Sequence, residues 1–375
     1  MQKIPDIDQL PSGKSVAIYG YGGYGKTLEA LLVTRRPDIR VSFIIDDQYS
    51  TLLEGAPSFC NLATFCHIYN DQSPQILLGV VDQTLVRKLS HNLTQVRLPF
   101  TIIEALQRYL PCEHTFDKAF RTAHRDKFQQ TRALLFAEPD RQLFDTLVKY
   151  RSSDSPVYAQ ELAPEWVRPW PKQYTDYVNP YTITCAIDGG VFEGNTTNHM
   201  IEHLYQRSPL QALYGFEPLI EVYQTSRFRT VLEHMLPLTV CEKALWSSEE
   251  ILHFKESGTS SRVVSSGITG NVREVSATSL DTYIVQQRIA KVDFLKLDIE
   301  GAELMALQGA ANMIQQDRPQ MAISIYHLKE HLFEIPLYLN SLCSDYIFRL
   351  GHYSKIFNET IFYAIPRELY RESYD

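Results

Sequence analysis

Residues 291–310 read KVDFLKLDIEGAELMALQGA, and the pattern changes character halfway along. In the first half Phe294, Lys296 and Asp298 fall on one face of an extended segment, and Leu295 and Leu297 on the other. In the second half Leu304 and Leu307, with Ile314 just beyond, return at helical spacing. The change comes at Gly301, so Asp298 and Glu300 stand at the carboxyl end of a strand, where open α/β sheets hold their ligands. The same strand, glycine and helix order recurs upstream in ITCAIDGGVFEGNTT (183–197). Its helix shows Met200, Ile201, Leu204 and Tyr205 on one face. ALYGFEP (212–218) reads as a strand ending in Glu217. LTVCEKALWS (238–247) reads as a third strand that ends around Ala244–Leu245. MAISIY (321–326) reads as a further strand, ending at His327.

The 183–197 loop carries Glu193, and a carboxylate there would repel a pyrophosphate, which relies on backbone N–H groups and positive potential. S-adenosylmethionine has no phosphate and brings a sulfonium and an ammonium, so an acidic loop suits it. Asp188 at the strand end is placed to face the ammonium, directly or through water. Gly190 and Gly194 allow close backbone approach to the methionine part. Glu217 follows Gly194 by about 20 residues, the spacing of an acid that grips two ribose hydroxyls. A carboxylate supplies the two acceptors they need; the plainer role is to cap the next helix. Ala244 is expected to border the adenine.

FLKLDIEGAELMALQGA followed by RPQMAISIYHLKEHLFEIPLYL resembles the FkbM family of S-adenosylmethionine-dependent O-methyltransferases. Its members share K-x-D-x-E-G-x-E, a glycine-alanine step, and the I-S-x-Y-H and I-P segments. SATSLDTYI (276–284) is similar to the family's leucine-aspartate turn, and QYTDYVNPYTITCAIDGGVFEGNTT to the segment opening its methyltransferase fold. One departure is Val191, where an alanine often follows the second glycine. The likeness spans about 170 to 365 and implies methyl transfer to a hydroxyl, with a sugar of a polysaccharide or glycosylated metabolite as the expected acceptor. YIFRL (346–350) and TIFYAIP (360–366) alternate across a polar segment. They read as an antiparallel end to the sheet, as in a class I methyltransferase and unlike an all-parallel dehydrogenase sheet. An alcohol needs a base or a metal to become a nucleophile at neutral pH. His327 is the general-base candidate. Asp298 could be the base instead, orient His327, or hold Mg²⁺ together with Glu300 through oxygen. Trp166, Trp170, Tyr174, Tyr177 and Tyr181 precede the cofactor loop, as an acceptor lid or as an ordinary hydrophobic seam.

The N-terminal part poses a separate question. YGYGGYGKT (19–27) satisfies G-x-G-x-x-G through Gly20, Gly22 and Gly25, and also G-x-x-x-x-G-K-[ST]. SVAIYG (15–20), VSFIIDD (41–47) and QILLGVV (75–81) read as strands around a helix, which both patterns allow. Asp46 and Asp47 end the second strand about 20 residues after Gly25, the place of a ribose-binding carboxylate in a dinucleotide fold. Lys26–Thr27 is then the first turn of a helix. The stretch 15–105 looks like the small Rossmann-like domains found beside sugar-modifying enzymes. Gly20, Gly22, Gly25 and Asp46 would hold a nucleotide or nucleotide-sugar there, or the loop is only a tight turn in a scaffold.

The expected architecture is α/β. A Rossmann-like domain (1–110) and a helical connector (111–170) precede a methyltransferase domain (171–375) with a mixed seven-stranded sheet and a C-terminal antiparallel hairpin. A net charge of −8 argues against nucleic-acid and anionic-membrane partners. Six cysteines without C-x-x-C spacing fit a reducing cytoplasm. No apolar run is long enough for a membrane span, and the first residues lack a signal-peptide core. A soluble cytoplasmic enzyme, possible as a homo-oligomer, is expected. The competing readings are an NAD-dependent oxidoreductase using the first glycine loop and a non-catalytic nucleotide- or sugar-binding protein.

Overall fold

A computed structural model describes residues 1–69, 74–81, 83–104, 106, 114–152, 162–205, 207–235, 238–255, 262–264, 272–343 and 345–371. The chain forms two compact units: Met1–Lys118 with Arg151–Gln160, and Ala119–Tyr150 with Glu161–Asp375. The expected boundary at 110–111 lies outside the described residues.

In the first unit, β1 (Gln2–Ile4), β2 (Ser15–Tyr19), β3 (Arg40–Ile45), β4 (Ser58–Cys60), β5 (Gln75–Leu78) and β6 (Phe100–Ile103) make one parallel sheet. Their order is β1-β6-β5-β2-β3-β4, so the winding reverses between β2 and β5. The intervening helices are α1 (Gly23–Arg35), α2 (Leu62–Ile68) and α3 (Gln83–Gln95). β2 is apolar on both faces because both are covered. Val16 and Ile18 pack with Leu28, Leu31 and Leu32, while Ala17 and Tyr19 pack with Phe65, Leu89 and Leu93. At the reversal, a Cβ on Gly25 would lie 2.2 Å from the Gly20 carbonyl oxygen, and one on Gly79 2.3 Å from the same atom. The glycines are there so that three backbones can touch.

The second unit begins within α4 (Lys118–Ala123), after its first residue, and continues with the helices α5 (Arg125–Leu134) and α6 (Glu138–Tyr150). It continues through β7 (Cys185–Gly189), α7 (Asn195–Tyr205), β8 (Ala212–Phe216), α8 (Ile220–Gln224), α9 (Arg227–Met235), β9 (Leu238–Cys241) and β10 (Ala244–Leu245). Then come β11 (Ile251–Lys255), β12 (Arg262–Val264), β13 (Val272–Thr278), α10 (Leu280–Gln287), β14 (Phe294–Leu297), α11 (Glu303–Gln308) and α12 (Ala311–Asp317). It closes with β15 (Gln320–Ser324), α13 (His331–Leu342), β16 (Tyr346–His352) and β17 (Thr360–Pro366). Seven strands form the main sheet in the order β16-β17-β15-β14-β7-β8-β9. β17 runs antiparallel to both its neighbours, and the remaining pairs are parallel. This is the mixed seven-stranded sheet that the C-terminal alternation foretold.

Two features depart from the sequence reading. The stretch 238–247 is two strands: β9 pairs with β8, and β10 leaves for a second sheet of order β10-β13-β11-β12. Exposed Glu242 and half-buried Lys243 lie between them, and burying that charged pair within one continuous strand would be costly. The segment read as a connector also contributes to the second unit. Phe128 of α5 packs edge-on to Phe333 of α13, ring centroids 5.1 Å apart. The Phe136 N–H donates to the Phe348 carbonyl of β16 at 2.9 Å. Asp140 of α6 is buried against Arg349.

Candidate functional site

At the carboxyl ends of β7 and β14 the backbone is crowded. Gly190 sits at φ +86°, and a Cβ there would lie 1.9 Å from the Asp298 carbonyl oxygen. Only glycine fits. Gly194 also has a left-handed φ of +84°, and between them Phe192 adopts φ +48° despite its side chain. Tyr174 (φ 70°), Glu300 (φ 53°) and Glu359 (φ 62°) are likewise left-handed. Such conformations cost energy and recur where function holds the backbone.

Glu217, at the end of β8, reaches back into the glycine loop. Its carboxylate accepts from the Phe192 N–H at 2.8 Å and from the Leu219 N–H at 2.9 Å. Burial pushes its pKa up, and these two N–H donors oppose the push. Glu217 does not cap the following helix, whose N-cap is Leu219 without a side-chain bond; its two contacts tie the acid to the loop and to the turn ahead of that helix.

Asp188 differs from expectation. It is fully buried, takes the Thr197 hydroxyl at 2.5 Å and pairs with the Lys296 ammonium at 2.8 Å. Its charge is matched from within the chain, which removes the reason for it to meet a ligand ammonium directly. Lys296 also donates to the carbonyls of Gly190 (2.9 Å) and Gly189 (3.2 Å), and lies 5.2 Å from the centre of the Tyr174 ring. Ala244 is spent on the core of the small sheet, with Leu252, Phe254, Val275 and Ala277. Glu193 faces solvent.

Asp298, Glu300 and His327 do come together. Asp298 accepts from the Tyr174 hydroxyl at 2.7 Å and the Tyr326 hydroxyl at 3.1 Å. His327 Nε2 lies 3.5 Å from Asp298 Oδ1 and 3.7 Å from Glu300 Oε2. Its Nδ1 is 2.9 Å from Glu303 Oε1, and His331 Nδ1 is 3.2 Å from Glu303 Oε2. Glu303 is sealed from solvent and also accepts from the Ile299 N–H at 2.8 Å. Burial opposes charge on His327, but the Glu303 carboxylate, its close contact with Nδ1, and the charges of Asp298 and Glu300 outweigh it and hold the imidazole up at about 10. Burial raises Glu300 to about 7, against the pull of His327. A raised imidazole pKa makes His327 a charge partner of these carboxylates when no other cation lies among them, and a poorer general base than its ordinary value implies.

Lys296, Glu303, Tyr326, His331 and Glu359 have no role in the sequence reading, and Tyr174 has one only within the aromatic lid or seam. Lys296 and Glu303 are the first and last letters of K-x-D-x-E-G-x-E, a signal that was in view. Tyr174 was read only as part of an aromatic run. It and Tyr177 are buried, whereas Trp170 and Tyr181 are exposed. In the first unit Gly20, Gly22 and Gly25 surround the sheet reversal, and the Asp46 carboxylate accepts from the N–H groups of Tyr21 (2.6 Å) and Gln48 (3.2 Å). Thr27 is buried and donates to the Gly23 carbonyl at 2.8 Å, the behaviour of a helix turn.

The mixed sheet with its last strand reversed, and the glycine loop fastened to an acid on the neighbouring strand, define a Rossmann-like α/β fold of the methyltransferase type. The family model described as "Methyltransferase FkbM domain" matches residues 188–350, so this part of the chain is similar to the FkbM methyltransferases. Methyltransferase FkbM from Methylobacillus flagellatus KT, in its crystal structure, aligns over 94% of this chain and 90% of its own at 20% identity, TM-score 0.57. That likeness is one of fold. A putative rRNA-methylase from Clostridium thermocellum aligns over 51% of this chain and 90% of its own at 12% identity, TM-score 0.32. No curated protein matches the chain.

Proposed function

We propose that this chain is a methyltransferase that takes its methyl group from S-adenosylmethionine and transfers it to a hydroxyl of a sugar, in a polysaccharide or glycosylated metabolite. The observation that carries the reading is Glu217: a buried carboxylate at the end of β8, fastened to the loop that Gly190 and Gly194 shape. Two ribose hydroxyls can donate to the carboxylate lone pairs that its two backbone bonds leave over. The acidic Glu193 suits a cofactor without phosphate. Asp188 acts through Lys296, which fixes the loop carbonyls.

In the reaction the S–CH₃ bond breaks as the O–CH₃ bond forms, and the hydroxyl proton leaves towards the cluster of Asp298, Glu300 and His327. Glu300 is its most open member, its side chain 36% exposed against 19% for Asp298 and 7% for His327. Trp170, partly exposed with its ring against His199, supports a sugar acceptor, because C–H surfaces pack on such rings. A cytoplasmic setting without nucleic-acid or membrane partners goes with this reading. The net charge of −8 supports it, and among the described residues no helix is long and apolar enough to cross a membrane.

The test is calorimetry with S-adenosylhomocysteine. Glu217→Ala should weaken binding by about 1.5–3 kcal/mol, roughly 10- to 150-fold, through lost charge-assisted hydrogen bonds. Unchanged affinity would remove Glu217 from the cofactor site.

A further inference from the structure

Four carboxylates, those of Asp298, Glu300, Glu303 and Glu359, act electrostatically on His327 or on one another in this region. Lys296, two residues before Asp298, is committed to Asp188. The imidazole is held from one side only. Its Nδ1 faces Glu303, whose Oε1 is already engaged by the N–H groups of Ile299 and Gly301. Its Nε2 lies 3.5 Å from Asp298 Oδ1 and 3.7 Å from Glu300 Oε2, and both ring nitrogens are buried without a well-aligned hydrogen bond. Metal bonds of about 2.1 Å at angles of about 90–110° put neighbouring ligand atoms about 3–3.5 Å apart. A histidine whose far nitrogen binds a metal almost always gives its other N–H to a carboxylate, as Nδ1 meets Glu303 here. Asp298 is itself oriented by the hydroxyls of Tyr174 and Tyr326, the outer hydrogen bonding expected of a ligating carboxylate.

We propose that His327 Nε2, Asp298 Oδ1 and Glu300 Oε2 form a site for one divalent transition-metal cation such as Mn²⁺, which on binding displaces the Nε2 proton to solvent, with Glu303 as the outer carboxylate that orients the imidazole. The sequence pointed to an all-oxygen Mg²⁺ pair of Asp298 and Glu300; a nitrogen ligand shifts the preference towards Mn²⁺, Fe²⁺ or Zn²⁺. Glu300 is the half-exposed member, so the open coordination positions face the side from which an acceptor hydroxyl would arrive. The site deepens the methyl-transfer reading and rests on it only for that consequence, since cation binding needs neither acceptor nor cofactor.

The experiment uses the full chain, stripped with chelator and titrated with Mn²⁺ alone, free Mn²⁺ being counted by electron paramagnetic resonance. One equivalent should bind, more tightly than Mg²⁺ competes. Glu300→Gln and His327→Gln should each weaken binding at least 10-fold, and Glu303→Gln about 10- to 100-fold. Glu300→Gln changes a half-exposed side chain, so it keeps the test informative if Glu303→Gln fails to fold. Absence of a bound equivalent, affinity unmoved by both Glu300→Gln and His327→Gln, or tighter binding of Mg²⁺ than of Mn²⁺ would each overturn the site. Binding of S-adenosylhomocysteine, measured separately, tells that failure apart from failure of the cofactor reading.

Discussion

Lys296→Met removes the ammonium that neutralises Asp188 while keeping an unbranched stem of similar length. The two side chains are 1% and 0% exposed, so the carboxylate left behind cannot recover its charge partner from water. The ammonium's bonds to the carbonyls of Gly189 and Gly190 go as well. Breaking a buried pair from one side costs about 3–5 kcal/mol, or about 150- to 5,000-fold in the unfolding equilibrium. Asp188→Asn in the same chain removes the stranded charge and keeps an acceptor for the Thr197 hydroxyl. The double variant should therefore recover about 0.5–3 kcal/mol. All three tryptophans, Trp166, Trp170 and Trp246, lie in the second unit, so urea unfolding followed by tryptophan fluorescence reports on that unit. A Lys296→Met chain within about 1 kcal/mol of the parent, the worth of an exposed ion pair, would show that Asp188 and Lys296 do not form a sealed pair.

Gly190→Ala should cost at least about 1–3 kcal/mol of backbone strain and abolish S-adenosylhomocysteine binding, because its Cβ would meet the Asp298 carbonyl. Gly22→Ala, with nothing within 4 Å of its Cβ, should leave the unfolding free energy within about 0.5 kcal/mol of the parent; equal losses in the two variants would refute the contrast. Lys26→Ala should leave methyl transfer intact, and ATP hydrolysis that vanished in this variant would restore the P-loop reading of YGYGGYGKT. The folded pKa of His327, at about 10, lies above its ordinary 6.5. The stability it contributes is thus complete below pH 6.5 and is lost as pH rises towards 10. Glu303, held well below its ordinary range by its two histidines against burial, contributes above pH 4.5 and loses that as pH falls. Tryptophan-monitored stability should decline from about pH 6.5 to 8.5, before tyrosines ionise, and Glu303→Gln should flatten the decline; an unchanged slope would count against the pairing.

Strands, glycine loops and their order along the chain were legible because they are local. The alternation of FLKLD, the apolar run of SVAIY and the reversal implied by YIFRL and TIFYAIP each depend on neighbours a few residues away. The same locality located Glu217, Asp298 and His327 at strand ends. It failed at 238–247, where nothing local says that Ala244–Leu245 will pair with Ala277–Thr278 rather than continue beside β8.

What each site residue does was decided by tertiary structure. Asp188 looked available for a ligand until Lys296 arrived from the neighbouring strand. Tyr174, an aromatic in a proline-rich run, became a donor to Asp298. His327 had the ordinary pKa of a base in the sequence, and packing three carboxylates around it raises that pKa against the effect of burial. Strand position follows from periodicity, which a single stretch of chain carries. Charge state depends on distance through a poorly solvating interior, and those distances exist only once β7, β14, β15 and the 170s segment have been brought together.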